Sequence, residues 1–179
     1  MRDASPDETG EKRESGESRQ PRSSCTRIIG LGNSMRGDDA VGLLAARRIR
    51  EQVGNHVDVI EAESAGVELL DLMAGAGAVL IIDAACSGKA PGTIHRLDAS
   101  AGPIVPELFP RSTHAIGVGE ALVLARTLGV LPNKVIVYGI EAGDTDIGHP
   151  LSSQVDHALN EVLQLILREV EASACTSFI

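Results

Sequence analysis

From residue 27 onward, short apolar runs alternate with amphipathic stretches. Residues 27–31, 57–62, 78–84, 93–97 and 134–140 read as strands. Residues 39–53, 66–74, 115–128 and 152–171 carry apolar positions at helical spacing, as with Val41, Leu44, Ala45, Arg48 and Ile49 in the first of them. The run Ala78 to Ala84 is apolar almost throughout, which predicts a central strand covered on both faces. Residues 93–97 alternate instead, as an antiparallel addition at the margin would. Strands in alternation with helices predict an α/β fold, a three-layer sandwich. Its twisted, mostly parallel sheet has about five strands and helices on both faces. Residues 27–172 form the single domain in this reading. Residues 1–26, rich in Ser, Glu, Arg and Pro, form a disordered polar tail, and 173–179 a short C-terminal tail.

Composition narrows the function. With no Trp, one Tyr and two Phe, the core must be aliphatic. A formal net charge of −9 argues against a nucleic-acid partner, which needs clustered Lys and Arg. No apolar run approaches the ~20 residues that span a membrane. The N-terminus lacks an apolar signal core, so a cytoplasmic location is expected. The three cysteines, Cys25, Cys86 and Cys175, are scattered, which suits a reducing compartment. Cys86 alone lies near candidate chemistry. Nothing electropositive surrounds it to lower its pKa, so it reads as a bystander thiol.

The first strand opens into Gly30-Leu31-Gly32-Asn33-Ser34-Met35-Arg36-Gly37-Asp38-Asp39. A dinucleotide fingerprint would need a glycine at Met35 for close helix–strand packing, so a dinucleotide enzyme is disfavoured. The turn offers paired carboxylates at a helix start instead, which suits a cation. In open α/β sheets, sites gather at the carboxyl ends of the strands. That rule selects Asp39, Asp83 and His114. Two carboxylates and an imidazole from distant segments would hold Zn²⁺ or Ni²⁺ and leave coordination positions open. The plainer alternatives are charge complementarity at a helix N-terminus for Asp39, a turn cap for Asp83 and a helix-start polar residue for His114. The backbone at Gly32 and Asn33 could meet an oxyanion, or merely form a tight turn. Asp38 reads as an N-cap or a supporting group behind Asp39. His149 sits in a loop rich in ligating types, an accessory or substrate-loop candidate. His56, His95 and His157 read as surface positions.

Taken together, Gly30-x-Gly32-Asn33-x-x-x-Gly37-Asp38-Asp39-x-x-Gly42, Ile81-Ile82-Asp83-Ala84, Pro91-Gly92-Thr93 and Ser112-x-His114-x-x-Gly117 resemble the nickel–iron hydrogenase maturation endopeptidases. The likeness runs from about residue 27 to about 168. It implies a protease that removes a C-terminal extension from the nickel-loaded large-subunit precursor. It implies that Asp39, Asp83 and His114 are the catalytic and metal-binding residues, with Gly32, Asn33 and Asp38 toward the substrate. It implies a divalent metal, nickel carried by the substrate or bound by the protein, with zinc as the alternative. The expected partner is the precursor, met by a monomer. A non-catalytic nickel-checking module would use the same ligands. The chain departs from the family pattern at Ala142 and Ser153, where prolines are common.

Overall fold

The computed structural model describes residues 25–63, 66–102, 104 and 117–176. Five strands among them form one sheet: β1 (Thr26–Leu31), β2 (Val57–Ala62), β3 (Ala78–Ala85), β4 (Ile94–Asp98) and β5 (Lys134–Glu141), in the order β2-β1-β3-β5-β4. All pairs are parallel except β4 with β5. The apolar run does form the central strand, with every residue from Val79 to Ala85 buried. The alternating run lies at the edge, antiparallel.

The helices are α1 (Val41–Arg50), α2 (Glu68–Met73), α3 (Val118–Thr127) and α4 (Ser153–Thr176). Alternation along the strands sorts the core into two halves. Ile28, Leu80, Ile82, Ile136 and Tyr138 face α1 and α4, and pack with Val41, Ile49, Leu159 and Ile166. Ile29, Leu31, Val79, Ile81 and Val137 face α2 and α3, and pack with Leu69, Met73 and Leu122. The result is three layers around an aliphatic core.

Several boundaries differ from the sequence pattern. The first helix does not begin at Asp39: Gly37–Ala40 form a 3-10 turn, and α1 ends at Arg50. Leu43 is buried in α1, whereas Leu44 is only half-buried. The last helix continues to Thr176, past the boundary at 172, because Glu171, Ala172 and Ala174 are good helix formers. The loop with His114, the tail 1–24 and residues 177–179 lie outside the described residues.

Because the sheet order steps from β1 outward to β2 and inward to β3, the gap between β1 and β3 is a switch point, where ligands meet such sheets. Two glycines bring α1 against that gap. A Cβ on Gly42 would sit 2.2 Å from the Leu31 carbonyl oxygen and 2.4 Å from that of Ile82. A Cβ on Gly30 would sit 2.0 Å from the Gly42 carbonyl oxygen. The close helix–strand packing that the fingerprint assigns to a third glycine is therefore present here, supplied by Gly42 within the helix.

Candidate functional site

Asp39 and Asp83 enter the switch point from different elements. The pairing of β1 with β3 ends at Gly30 and Ile82, so Asp83 is the first β3 residue beyond β1. Strand β3 itself runs on to Ala85, paired with β5. Asp83 therefore ends the strand only on the β1 side. Both carboxyl groups are nearly closed off from solvent, Asp39 at 2% and Asp83 at 4% exposure. Asp83 Oδ1 accepts a hydrogen bond from the Ala84 N–H at 2.9 Å. Cys86 follows on the same strand end and is exposed. Burial pushes its thiol pKa up, and the charges of Glu141, Asp39 and Asp83 push it further. Three carboxylates thus act together on one sulfur. The field disfavours a thiolate nucleophile, as expected for Cys86, and favours a cation.

The turn that delivers Asp39 is closed by its own backbone. The Gly32 N–H donates to the Ala62 carbonyl at 3.2 Å, and the Asn33 N–H donates to the Asp39 carbonyl at 3.1 Å. Asn33 Oδ1 accepts from the Met35 N–H at 2.9 Å. Gly32 has φ +149°, and a Cβ there would lie 2.0 Å from the Asp39 carbonyl oxygen. These two N–H groups are spent on shaping the turn, so the tight-turn reading of Gly32 and Asn33 describes the backbone, and the oxyanion reading does not.

Asp38 has no exposed surface, and no side-chain cap closes the helix start, so it is not the N-cap. Its carboxylate turns to the loop between β5 and α4. Oδ2 accepts from the N–H groups of Gly143 at 2.8 Å and Asp144 at 2.9 Å, and from the Ser152 hydroxyl at 3.0 Å. Oδ1 accepts from the Ser152 N–H at 2.7 Å.

Glu141, which the sequence reading passed over, makes a matching arrangement. It is 1% exposed at the end of β5. One oxygen accepts from the N–H groups of Ser87 at 2.6 Å, Gly88 at 2.7 Å and Lys89 at 3.0 Å. The other meets the Ser87 hydroxyl at 2.9 Å and His95 Nε2 at 3.2 Å. Burial pushes its pKa up, but the hydrogen bonds from Ser87, His95 and the backbone outweigh it, and the carboxyl lies below its usual value. The signal was available: like Asp83, Glu141 is an acid closing an apolar run, and a buried carboxylate needs a partner.

A model described as hydrogenase maturation protease matches residues 41–169. The chain belongs to the hydrogenase maturation protease family. The hydrogenase 2 maturation protease of Escherichia coli is 30% identical over 145 residues, covering 76% of this chain and 87% of that one. The hydrogenase expression/formation protein HupD of Thiocapsa roseopersicina is 24% identical over 143 residues. The match covers 78% of this chain and 65% of that longer protein. The structure is similar to the hydrogenase maturating endopeptidase HybD from E. coli, with a TM-score of 0.70 and 28% identity, covering 83% of this chain and 93% of the other. It is also similar to the NiFe hydrogenase maturation protease HybD from Thermococcus kodakarensis, with a TM-score of 0.65, 25% identity, and 80% and 97% coverage.

The remaining histidines of the chain separate clearly. His56 and His157 are exposed, as expected. His95 is not a free surface position, since it is half-buried against Glu141. His149 joins Asp144 and Asp146 in an exposed group whose ligand atoms lie within 4.8 Å of one another. The Asp144 carboxylate, 2.6 Å from His149 Nδ1, holds the imidazole pKa above its usual value. Among the described residues no helix is long and apolar enough to cross a membrane.

Proposed function

We propose that the protein is an endopeptidase that removes a C-terminal extension from the nickel-loaded large-subunit precursor of a nickel–iron hydrogenase. The observation that carries this reading is the pair of buried carboxylates, Asp39 and Asp83, at the sheet's switch point in a chain of this family. Their donor set fits a divalent cation. All-oxygen carboxylate pairs with an added imidazole suit nickel or zinc, and the negative field felt by Cys86 provides the electrostatic half of the fit.

In this reading the nickel arrives as part of the substrate. Asp39, Asp83 and His114 engage it and so dock the cleavage site in the crevice. Selectivity follows: a precursor without nickel presents nothing for the carboxylates to hold. Hydrolysis adds water across one peptide bond, giving a new carboxylate on the large subunit and an amine on the released peptide. In this reading the carboxylates of the crevice also orient the attacking water, with no separate general base. The protein acts as a monomer in the cytoplasm. The scattered cysteines support that location, with neither Cys25 nor Cys86 in a disulfide.

The test is incubation of the purified chain with nickel-loaded precursor, followed by intact-mass measurement. The precursor is expected to lose the mass of its C-terminal peptide. Asp83→Asn and His114→Ala should each lower processing by at least about 100-fold, with the circular dichroism spectrum unchanged. Wild-type rates in either variant would rule out the site. Binding without any mass loss would favour a nickel-checking module.

A further inference from the structure

Asp38 and Asp39 are neighbours in one 3-10 turn, both buried, and they face different parts of the molecule. Asp39 contributes to the field in the crevice. Asp38 gathers four donors from the loop between β5 and α4, at 2.7–3.0 Å. The backbone repeats the link: the Asp38 N–H donates to the Asp144 carbonyl at 2.7 Å, and the Gly148 N–H donates to that of Met35 at 2.8 Å. Arg36 Nε adds a bond to the Thr145 carbonyl at 3.1 Å. The two loops approach so closely that a Cβ on Gly37, at φ +44°, would lie 2.4 Å from the Asp144 carbonyl oxygen.

We propose that Asp38 is the positioning residue of the site: by clasping loop 143–152, it fixes the turn from which Asp39 enters the crevice. This rests on the proposed reading of Asp39 as a metal-engaging group. All four partners of the Asp38 carboxylate are donors. An amide cannot satisfy them, because its –NH₂ must then face an N–H or O–H. Asp38→Asn is therefore nearly isosteric and still breaks the clasp. Freed from it, the turn samples orientations in which Asp39 no longer converges with Asp83. Groups that orient a metal ligand are typically worth about 10–100-fold in affinity or activity.

The test uses the full chain, with Ile166→Val and Ile166→Ala as controls. Ile166 is fully buried in the core beside α1, remote in role from the turn. The two controls bracket the thermal midpoint of Asp38→Asn, and all variants are compared at a temperature where each is folded. Ni²⁺ is titrated calorimetrically, and the component of the isotherm lost in Asp39→Asn is the one read. Asp38→Asn should weaken that component about 10–100-fold, while the controls match wild type. Single-turnover processing of nickel-loaded precursor should fall over the same range in Asp38→Asn and stay within about twofold in the controls. Wild-type Ni²⁺ affinity in Asp38→Asn, or losses equal to those of the controls, would overturn the proposal. A wild-type chain that binds Ni²⁺ but cleaves nothing removes the protease reading alone, and the titration still decides the role of Asp38. If wild type does neither, both are overturned.

Discussion

The carboxylates of this protein form two populations that differ in what holds them. Around the outside, acids pair with arginines and lysines. Asp58 meets Arg27 at 2.7 Å, Asp156 meets Arg48 at 2.8 Å, and Glu61 meets Arg47 at 2.7 Å and Arg50 at 2.6 Å. Glu169 lies between Arg96 and Lys134. At the carboxyl edge of the sheet, Asp38 and Glu141 are almost entirely enclosed and rely chiefly on backbone N–H groups. The difference lies in what each pairing constrains. An arginine can follow its acid by changing rotamer, at the cost of little more than side-chain order. A backbone N–H cannot move unless its loop moves. The outer pairs decorate elements already formed, whereas the inner acids determine where loops run.

The sharpest way to break this contrast is at the point where backbone meets backbone. Gly42→Ala puts a methyl group 2.2 Å from a carbonyl oxygen of β1. Overpacking of this kind costs about 3 kcal/mol or more, because no flexible side chain is there to yield. Urea denaturation should show a large fall in midpoint. Next comes Glu141→Gln, whose amide oxygen meets the three N–H donors without the carboxylate charge and which should cost about 1–3 kcal/mol.

Its pH dependence sharpens the comparison further. The Glu141 carboxyl lies below its usual value in the folded chain, so its contribution is complete above the unfolded value of about 4.3. It fades as pH falls through the lower folded value. The stability gap between wild type and Glu141→Gln should be flat near neutrality and shrink on acidification below about pH 4. The smallest effect belongs to the outside. Arg47→Ala removes one of two arginines on Glu61 and should change stability by less than about 1 kcal/mol, with the effect shrinking in high salt. A larger loss at Arg47 than at Glu141 would dissolve the distinction.

The layered fold was legible because it rests on local periodicity. Alternating apolar residues in β1, β3 and β5 divide between two helix layers, and no long-range knowledge is needed to see this. Asp83 was legible for a related reason, since an acid closing the most apolar run demands a partner. The same logic applied to Glu141, but its partners lie more than forty residues earlier in the chain. Asp38 looked like a cap because it stands before a helical pattern, whereas its four partners come from beyond residue 142. Gly42 stood out in the sequence only as the last position of the motif Gly37-Asp38-Asp39-x-x-Gly42. Its reason is tertiary, set by two strands that the helix sequence does not mention.

The contact of Gly30 with Gly42 has a consequence for how this protein tolerates change. A helix seated on side chains drifts when those side chains are exchanged, since a Leu-to-Val swap alters the spacing it maintains. A helix seated on bare main chain has its standoff set by peptide geometry, which every sequence shares. The surrounding aliphatic residues are then at liberty to be traded among themselves. The E. coli HybD structure, at 28% identity, keeps the same overall fold, with a TM-score of 0.70. For an engineer, this makes the outer faces of α1 and α4 open to redesign while the entry of Asp39 stays where it is.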